Sequence, residues 1–288
     1  MRTLFSIFLT LAPLASACSG DRLPPVFLSH FYVTLDQASY DALRSSPELA
    51  ALSKVAETHV AAGSRKWTGF YIYGRQTYME FFGAVAAPEG MRLGDAGLGL
   101  AVEEVAGVGT IASRLRTVFG GRVKVEPAHR TTAAGVIPWF TAASVENPKV
   151  EGLNTWFMET DPGYLAAMHP GSRIERPLGR EEDLAWRFIP DRPLDNVVGL
   201  TAALNSSDMA QLAAELELAG WAVRRGSGGF VAVGPDAKIT VVVAGARAGL
   251  QQAELRLRHS VPKQEITLGS VKLLLEGETG RFIFWTPN

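Results

Sequence analysis

The sequence predicts an α+β fold built from tandem βαβββ modules with curved, mixed sheets. Three observations lead there. The stretch from Leu28 to Phe82 recurs in weaker form from Gly97 to Thr160, each copy reading as a strand, a helix and three more strands. The last strand of each copy carries an aromatic residue just before a Met-Glu pair, in Thr77-Tyr78-Met79-Glu80 and in Thr155-Trp156-Phe157-Met158-Glu159. Each copy also has a histidine-bearing strand, ending at His59 in the first and at His129 in the second. Two such units facing each other enclose a concave sheet, a ready place for a metal or a small molecule.

The elements follow in order. Phe27 to Leu35 alternates, with Phe31, Val33 and Leu35 on one face and His30, Tyr32 and Thr34 on the other, which is the period of a strand. Asp36 caps a helix that buries Tyr40 and Leu43, and Ser46-Pro47 starts a second one. Strands are expected near 54–61, 67–73 and 77–84. The second copy has a strand at 98–105, a helix over 109–119 whose face carries Ile111 and Leu115, and strands near 122–128, 135–143 and 154–159. Asp161-Pro162-Gly163 is a turn, and a short helix is expected at 164–168. Residues 169–195 read as a charged, proline-bearing linker with a short helix at 181–188. Residues 196–288 form a third βαβββ-like module. Its first strand is 197–204, its helix is capped by Ser206 or Ser207 and ends at Gly220, and a hairpin closes it.

Composition bounds the function classes. The chain has 288 residues, 47% hydrophobic and 20% charged, enough to bury a sizeable core. The net charge of -1 and the lack of a basic run argue against a nucleic-acid partner. Residues 1–17 read as a signal peptide: Arg2, an apolar run from Leu4 to Leu14, then Ala15-Ser16-Ala17. Cys18, the sole cysteine, follows directly, and the segment resembles a bacterial lipobox. The expectation is an exported protein, lipidated at Cys18, tethered through residues 18–26 and anchored in a cell-envelope membrane. A plain cleaved signal beside an incidental cysteine is the simpler reading. Residues 27–168 would pair two modules around one cleft.

With the strands and Met-Glu pairs placed, the pattern resembles the glyoxalase-like, or vicinal oxygen chelate, superfamily, as an exported bacterial branch. Leu28-Ser29-His30-Phe31-Tyr32-Val33 is similar to that family's first strand, and Tyr78-Met79-Glu80-Phe81-Phe82 to the strand that ends in its ligand glutamate. The resemblance implies a divalent metal acting as Lewis acid in a lyase, isomerase or dioxygenase, held by His30 and Glu80 with Glu159 completing the site. Glu80 and Glu159 are then also the candidate proton-transfer groups. The second copy departs from the pattern, because Gly97-Leu98-Gly99-Leu100 offers no ligand. Tyr32, Tyr71, Tyr73, Tyr78, Trp139 and Trp156 are the candidate lining of a pocket for a small-molecule ligand.

Each candidate has a simpler reading. His30 is also a solvent-facing or hydrogen-bonded strand histidine, Glu159 a strand-end charge, and the aromatic residues good sheet formers. His59 and His129 read as structural or surface histidines. Gly226-Ser227-Gly228-Gly229 is a hairpin turn without the lysine of a phosphate loop. No Gly-x-Ser-x-Gly elbow or His-Glu-x-x-His motif is present. The rival to an enzyme is a metal-free module that binds a ligand or a protein at the cell surface.

Overall fold

The computed structural model describes residues 22–133, 135–147, 152–168, 171, 176–245 and 248–284. The signal peptide and Cys18 lie outside the described residues.

The first module comprises β1 (Val26–Leu35), α1 (Gln37–Ser45), α2 (Pro47–Leu52), β2 (Lys54–Ala62), β3 (Arg65–Tyr73) and β4 (Tyr78–Gly83). Asp36 caps α1 by accepting from the Ser39 N–H at 2.8 Å, and Ser46 caps α2, with Pro47 at its first position. The second module comprises β5 (Ala96–Val102), α3 (Gly107–Phe119), β6 (Val123–Thr132), β7 (Gly135–Val145) and β8 (Leu153–Thr160). The two modules form one eight-stranded sheet in the order β2-β3-β4-β1-β5-β8-β7-β6. Within each module the first strand pairs in parallel with the last, β1 with β4 and β5 with β8. The antiparallel β1–β5 pair joins them, so the strand order reads the same from either edge. That is the arrangement a pseudo-twofold axis between β1 and β5 produces. The result is a glyoxalase-like fold, an α+β architecture of tandem βαβββ modules with a curled mixed sheet.

Two short helices follow, α4 (Pro162–Met168) and α5 (Arg180–Leu184). The third module runs β9 (Leu194–Leu204), α6 (Ser206–Leu218), β10 (Ala222–Gly226), β11 (Gly229–Val233) and β12 (Lys238–Val243), with β9 parallel to β12. A long hairpin, β13 (Gly249–Leu268) and β14 (Val271–Ile283), completes a six-stranded sheet in the order β10-β11-β12-β9-β13-β14. Here β13 takes beside β9 the antiparallel place that β5 takes beside β1. Two details depart from the sequence expectation. Asn205, not Ser206 or Ser207, caps α6, accepting from the Asp208 N–H at 2.9 Å. The polar stretch after His259 stays within β13, because irregularities in its pairing with β14 absorb the break around Val261.

Strand alternation divides the faces of the large sheet. Phe31, Val33, Met79, Phe81, Leu98, Leu100 and Phe157 point to a fully apolar core shared with the helices and the third module. Phe31 meets Phe284 edge to face at 5.7 Å, and Phe81 lies 5.9 Å from Phe282. Polar links reinforce the join: the Trp221 indole donates to the Val26 carbonyl at 3.0 Å, and the Val197 N–H donates to Thr77 Oγ1 at 2.7 Å. The opposite, concave face holds the candidate site. Among the described residues no helix is long and apolar enough to cross a membrane.

Candidate functional site

A cavity of about 900 Å³ follows the concave face and reaches round Leu153 to the flank of α6. Its floor is set by strand parity. β1 contributes His30 and Tyr32, β4 contributes Tyr78, Glu80 and Phe82, and β8 contributes Trp156 and Met158. β3 adds Trp67, Tyr71 and Tyr73, and β7 adds Trp139. The rings stack in series. Tyr71 lies parallel to Tyr73 at 5.9 Å, His30 is parallel to Tyr78 at 4.3 Å, and Tyr32 stacks on Trp156 at 5.9 Å. Glycines make room for them. A Cβ at Gly97 would lie 2.0 Å from the Tyr32 ring, and one at Gly99 would lie 2.4 Å from the His30 ring. The residues of β5 that offered no ligand are thus the clearance for rings arriving from β1.

Glu80 is the buried acid of this floor, 7% exposed. Its Oε1 accepts from the Trp67 indole at 3.1 Å and from the Tyr71 hydroxyl. Burial pushes its pKa up to about 7, against the opposing pull of Tyr71, Trp67 and Arg130. The same burial, together with the Glu80 charge, raises Tyr71 far above the usual phenol range. A carboxyl raised toward neutrality in this way is suited to both giving and taking a proton.

His30 is buried too, and burial drives its pKa down to about 3, so the ring is neutral. Nδ1 meets Ser29 Oγ at 3.0 Å, and Nε2 has no hydrogen-bond partner among the described residues. Trp156 closes on the ring edge at 5.2 Å.

These placements decide the fit of a metal. His30 and Glu80 share the concave face but lean apart. The His30 ring lies over Gly99 on β5, while Glu80 Oε1 lies 3.0 Å from the Cβ position of Gly69 on β3. β3 and β5 are three strand spacings apart in the order β3-β4-β1-β5, and a spacing is about 4.8 Å. Ligands of one ion bind at roughly 2.0–2.2 Å, so the two side chains cannot share one as they stand. Glu159 does not join them. It lies with Phe157 on the other face, where its carboxylate accepts from the Ala106 N–H at 3.1 Å and the Val108 N–H at 3.2 Å. It satisfies the start of α3, whose N-cap Ala106 has a left-handed backbone and no capping side chain. Among the described residues no group of three or more His, Cys, Asp or Glu is arranged to hold a metal. The donor set does not fit the divalent ion that the resemblance implied.

The cavity also contains groups that sequence reasoning passed over. Trp67 was predictable from parity, being four residues before Tyr71 on β3. Arg130, Tyr164, Asp183 and Arg187 line one end. Asp183 belongs to α5 and Arg187 follows it, in a segment that the sequence marked as a linker with a short helix but not as part of a site. Its Leu184 packs on Tyr71 and Tyr73. His59 is exposed and bonds Thr68 Oγ1 at 2.6 Å.

Comparison with known proteins places the fold. The chain resembles the crystal structure of a hypothetical protein from Staphylococcus aureus, with a TM-score of 0.56 at 9% identity over 84% of this chain and 95% of that one. Weaker similarity extends to a mutant of 4-hydroxymandelate synthase from Streptomyces coelicolor, with a TM-score of 0.40, 14% identity, 80% of this chain and 70% of that one. It extends also to a xylose isomerase-like TIM barrel/4-hydroxyphenylpyruvate dioxygenase fusion protein, with a TM-score of 0.39, 8% identity, 80% of this chain and 36% of that one. No curated protein matches the sequence. The family of unknown function DUF5829 matches residues 28–284, nearly the whole described chain, and the protein belongs to that family.

Proposed function

We propose that the protein binds a small, planar organic molecule against the aromatic floor of the concave sheet. The observation that carries this is the convergence of ring faces on one cavity together with three polar groups turned into it. Glu80 is held by Tyr71 and Trp67, His30 has no partner for Nε2 among the described residues, and Arg130 reaches in from the far wall. Mostly apolar clefts with a few fixed polar groups are the usual form of a small-molecule site. The rings supply stacking area, and Glu80 and His30 fix orientation. In this reading the site works without a metal, since its donors lean apart. The protein is exported and held at a membrane through Cys18.

Calorimetry with 2-naphthamide, a neutral planar probe, tests the binding. Trp156→Ala is expected to weaken it at least about tenfold, the loss of roughly one aromatic contact. No binding to the unaltered protein, or binding indifferent to Trp156, contradicts the proposal.

A second reading makes the site catalytic, with Glu80 as the proton-transfer group. It is favoured by a carboxyl whose pKa lies near 7 inside a cleft. Exchange of solvent deuterium into carbonyl compounds, abolished by Glu80→Gln, is its expected mark. Exchange that survives the substitution removes Glu80 from the reaction.

A further inference from the structure

We infer that the end of the cavity formed by β6, α4 and the segment following α5 is an anion subsite, and that the planar ligand carries a carboxylate or a similar anionic group held by Arg130 and Arg187. The inference rests on the proposed cleft and names the chemistry of what enters it.

Two guanidiniums from elements far apart in sequence line the same end of the cavity. Each is oriented by rings. Arg130 donates to the Tyr164 hydroxyl at 2.9 Å and lies over the Trp139 ring at 5.5 Å. Arg187 lies over Tyr73 at 4.8 Å and over Trp186 at 4.0 Å. Neither forms an ion pair with a carboxylate among the described residues. Arg180, by contrast, earlier in the same segment, is fully engaged by Glu103, Asp236 and the Leu28 carbonyl.

The two cations act on shared neighbours. Burial raises both Asp183 and Tyr164, and both guanidiniums, lining the same cavity, oppose that rise. Asp183 is the acid best placed to neutralise them. Burial nevertheless holds its pKa up at about 6 despite both cations, so its charge is poorly accommodated there. Arg130 also acts on Glu80 across the cavity. The charge pattern along the cleft is therefore a proton-sharing acid over the aromatic floor and paired guanidiniums at the end. Guanidiniums stacked on rings keep their donor edges free, the geometry in which they bind carboxylates.

The test compares 2-naphthoate with 2-naphthamide, two probes of equal shape that differ in charge, by calorimetry at pH 7.5. The unaltered protein is expected to bind 2-naphthoate about tenfold tighter. Arg130→Met and Arg187→Met should each erase most of that preference, by weakening 2-naphthoate more than 2-naphthamide, while saturable 2-naphthamide binding persists and shows that the variants keep the cleft. Arg187→Lys, which keeps the charge without the planar fork, should retain part of it. Equal affinity for the two probes, or a preference that survives both Met variants, overturns the anion subsite while leaving the aromatic cleft standing. Failure of both probes to bind overturns the cleft, and the subsite with it.

Discussion

His30 and Glu80 show how a single side chain's direction controls what a site can do. Period-two alternation was enough to put His30, Tyr32, Tyr78 and Glu80 on one face, and the structure places all four on the concave floor. It was not enough to say which neighbouring strand each would lean over. That depends on clearance, and the clearance comes from Gly69 and Gly99, residues on other strands with no chemistry of their own. Gly99→Ala brings a Cβ to 2.4 Å from a buried ring and is expected to destabilise the fold by about 1–3 kcal/mol. The double variant Gly99→Ala/His30→Ala should recover most of the loss in a denaturation cycle. Additive losses would mean that the glycine serves some other contact. Glu80 leads to a pH prediction. Its folded pKa, about 7, stands above its ordinary value of 4.5. Its contribution to stability is therefore fully present below pH 4.5 and is lost as pH rises through 7, a change of about 3 kcal/mol. His30 has the opposite sign, since its lowered pKa makes stability fall as pH drops below 6.5. Comparing the unaltered protein with Glu80→Gln keeps His30 in both and isolates the carboxyl. The stability difference should shift in favour of Glu80→Gln between pH 4.5 and 7.5, and a flat difference would show that Glu80 is already ionised in the fold.

At the scale of elements, the repeat was legible because each strand carried its own alternation and each helix its own start signal. Asp36 and Ser46 are side chains of the kind that cap helices, and they do so. α3 was harder to bound, because its start is satisfied from outside the helix. Glu159, eight strands into the chain, supplies to the first turn what Ala106 cannot. Its likeness to Glu80 came from the shared Met-Glu pair, but the residue before the pair differs in spacing. Tyr78 lies two residues before Glu80, whereas Trp156 lies three before Glu159, so the second glutamate falls on the opposite face. Glu159→Ala is expected to lower stability by about 0.5–2 kcal/mol. It should leave 2-naphthamide affinity within error, as calorimetry would show. A large loss of binding would return Glu159 to the site.

The whole molecule depends on the segment between the second and third modules. Charge and prolines made it read as a linker, yet Arg180 is 7% exposed and joins three parts of the fold. It reaches Glu103 beyond β5 at 2.8 Å, the Leu28 carbonyl on β1 at 2.7 Å, and Asp236 in the third module, with its guanidinium 4.3 Å above the Phe27 ring. No local pattern announces such a residue, because its partners lie 56 to 152 positions away. With Arg180 fixed, α5 delivers Leu184 to the tyrosine cluster and Asp183 to the cavity. The proposed attachment to a membrane is tested separately. Cys18→Ala should move the protein from the membrane fraction to the soluble fraction, and unchanged fractionation would dismiss lipidation at that residue.

A ligand seated on the aromatic concave face lies among tryptophans, which report on it directly. Of the six in the chain, Trp67, Trp139 and Trp156 line the cavity, while Trp221 is buried away from it with its indole on the Val26 carbonyl. Fluorine NMR of protein labelled with 5-fluorotryptophan, each resonance assigned by substitution and followed during titration with 2-naphthamide, separates the two regions. The Trp67, Trp139 and Trp156 signals are expected to move together along one saturable curve while Trp221 stays in place. Saturable binding that leaves those three signals unmoved would contradict that placement of the ligand.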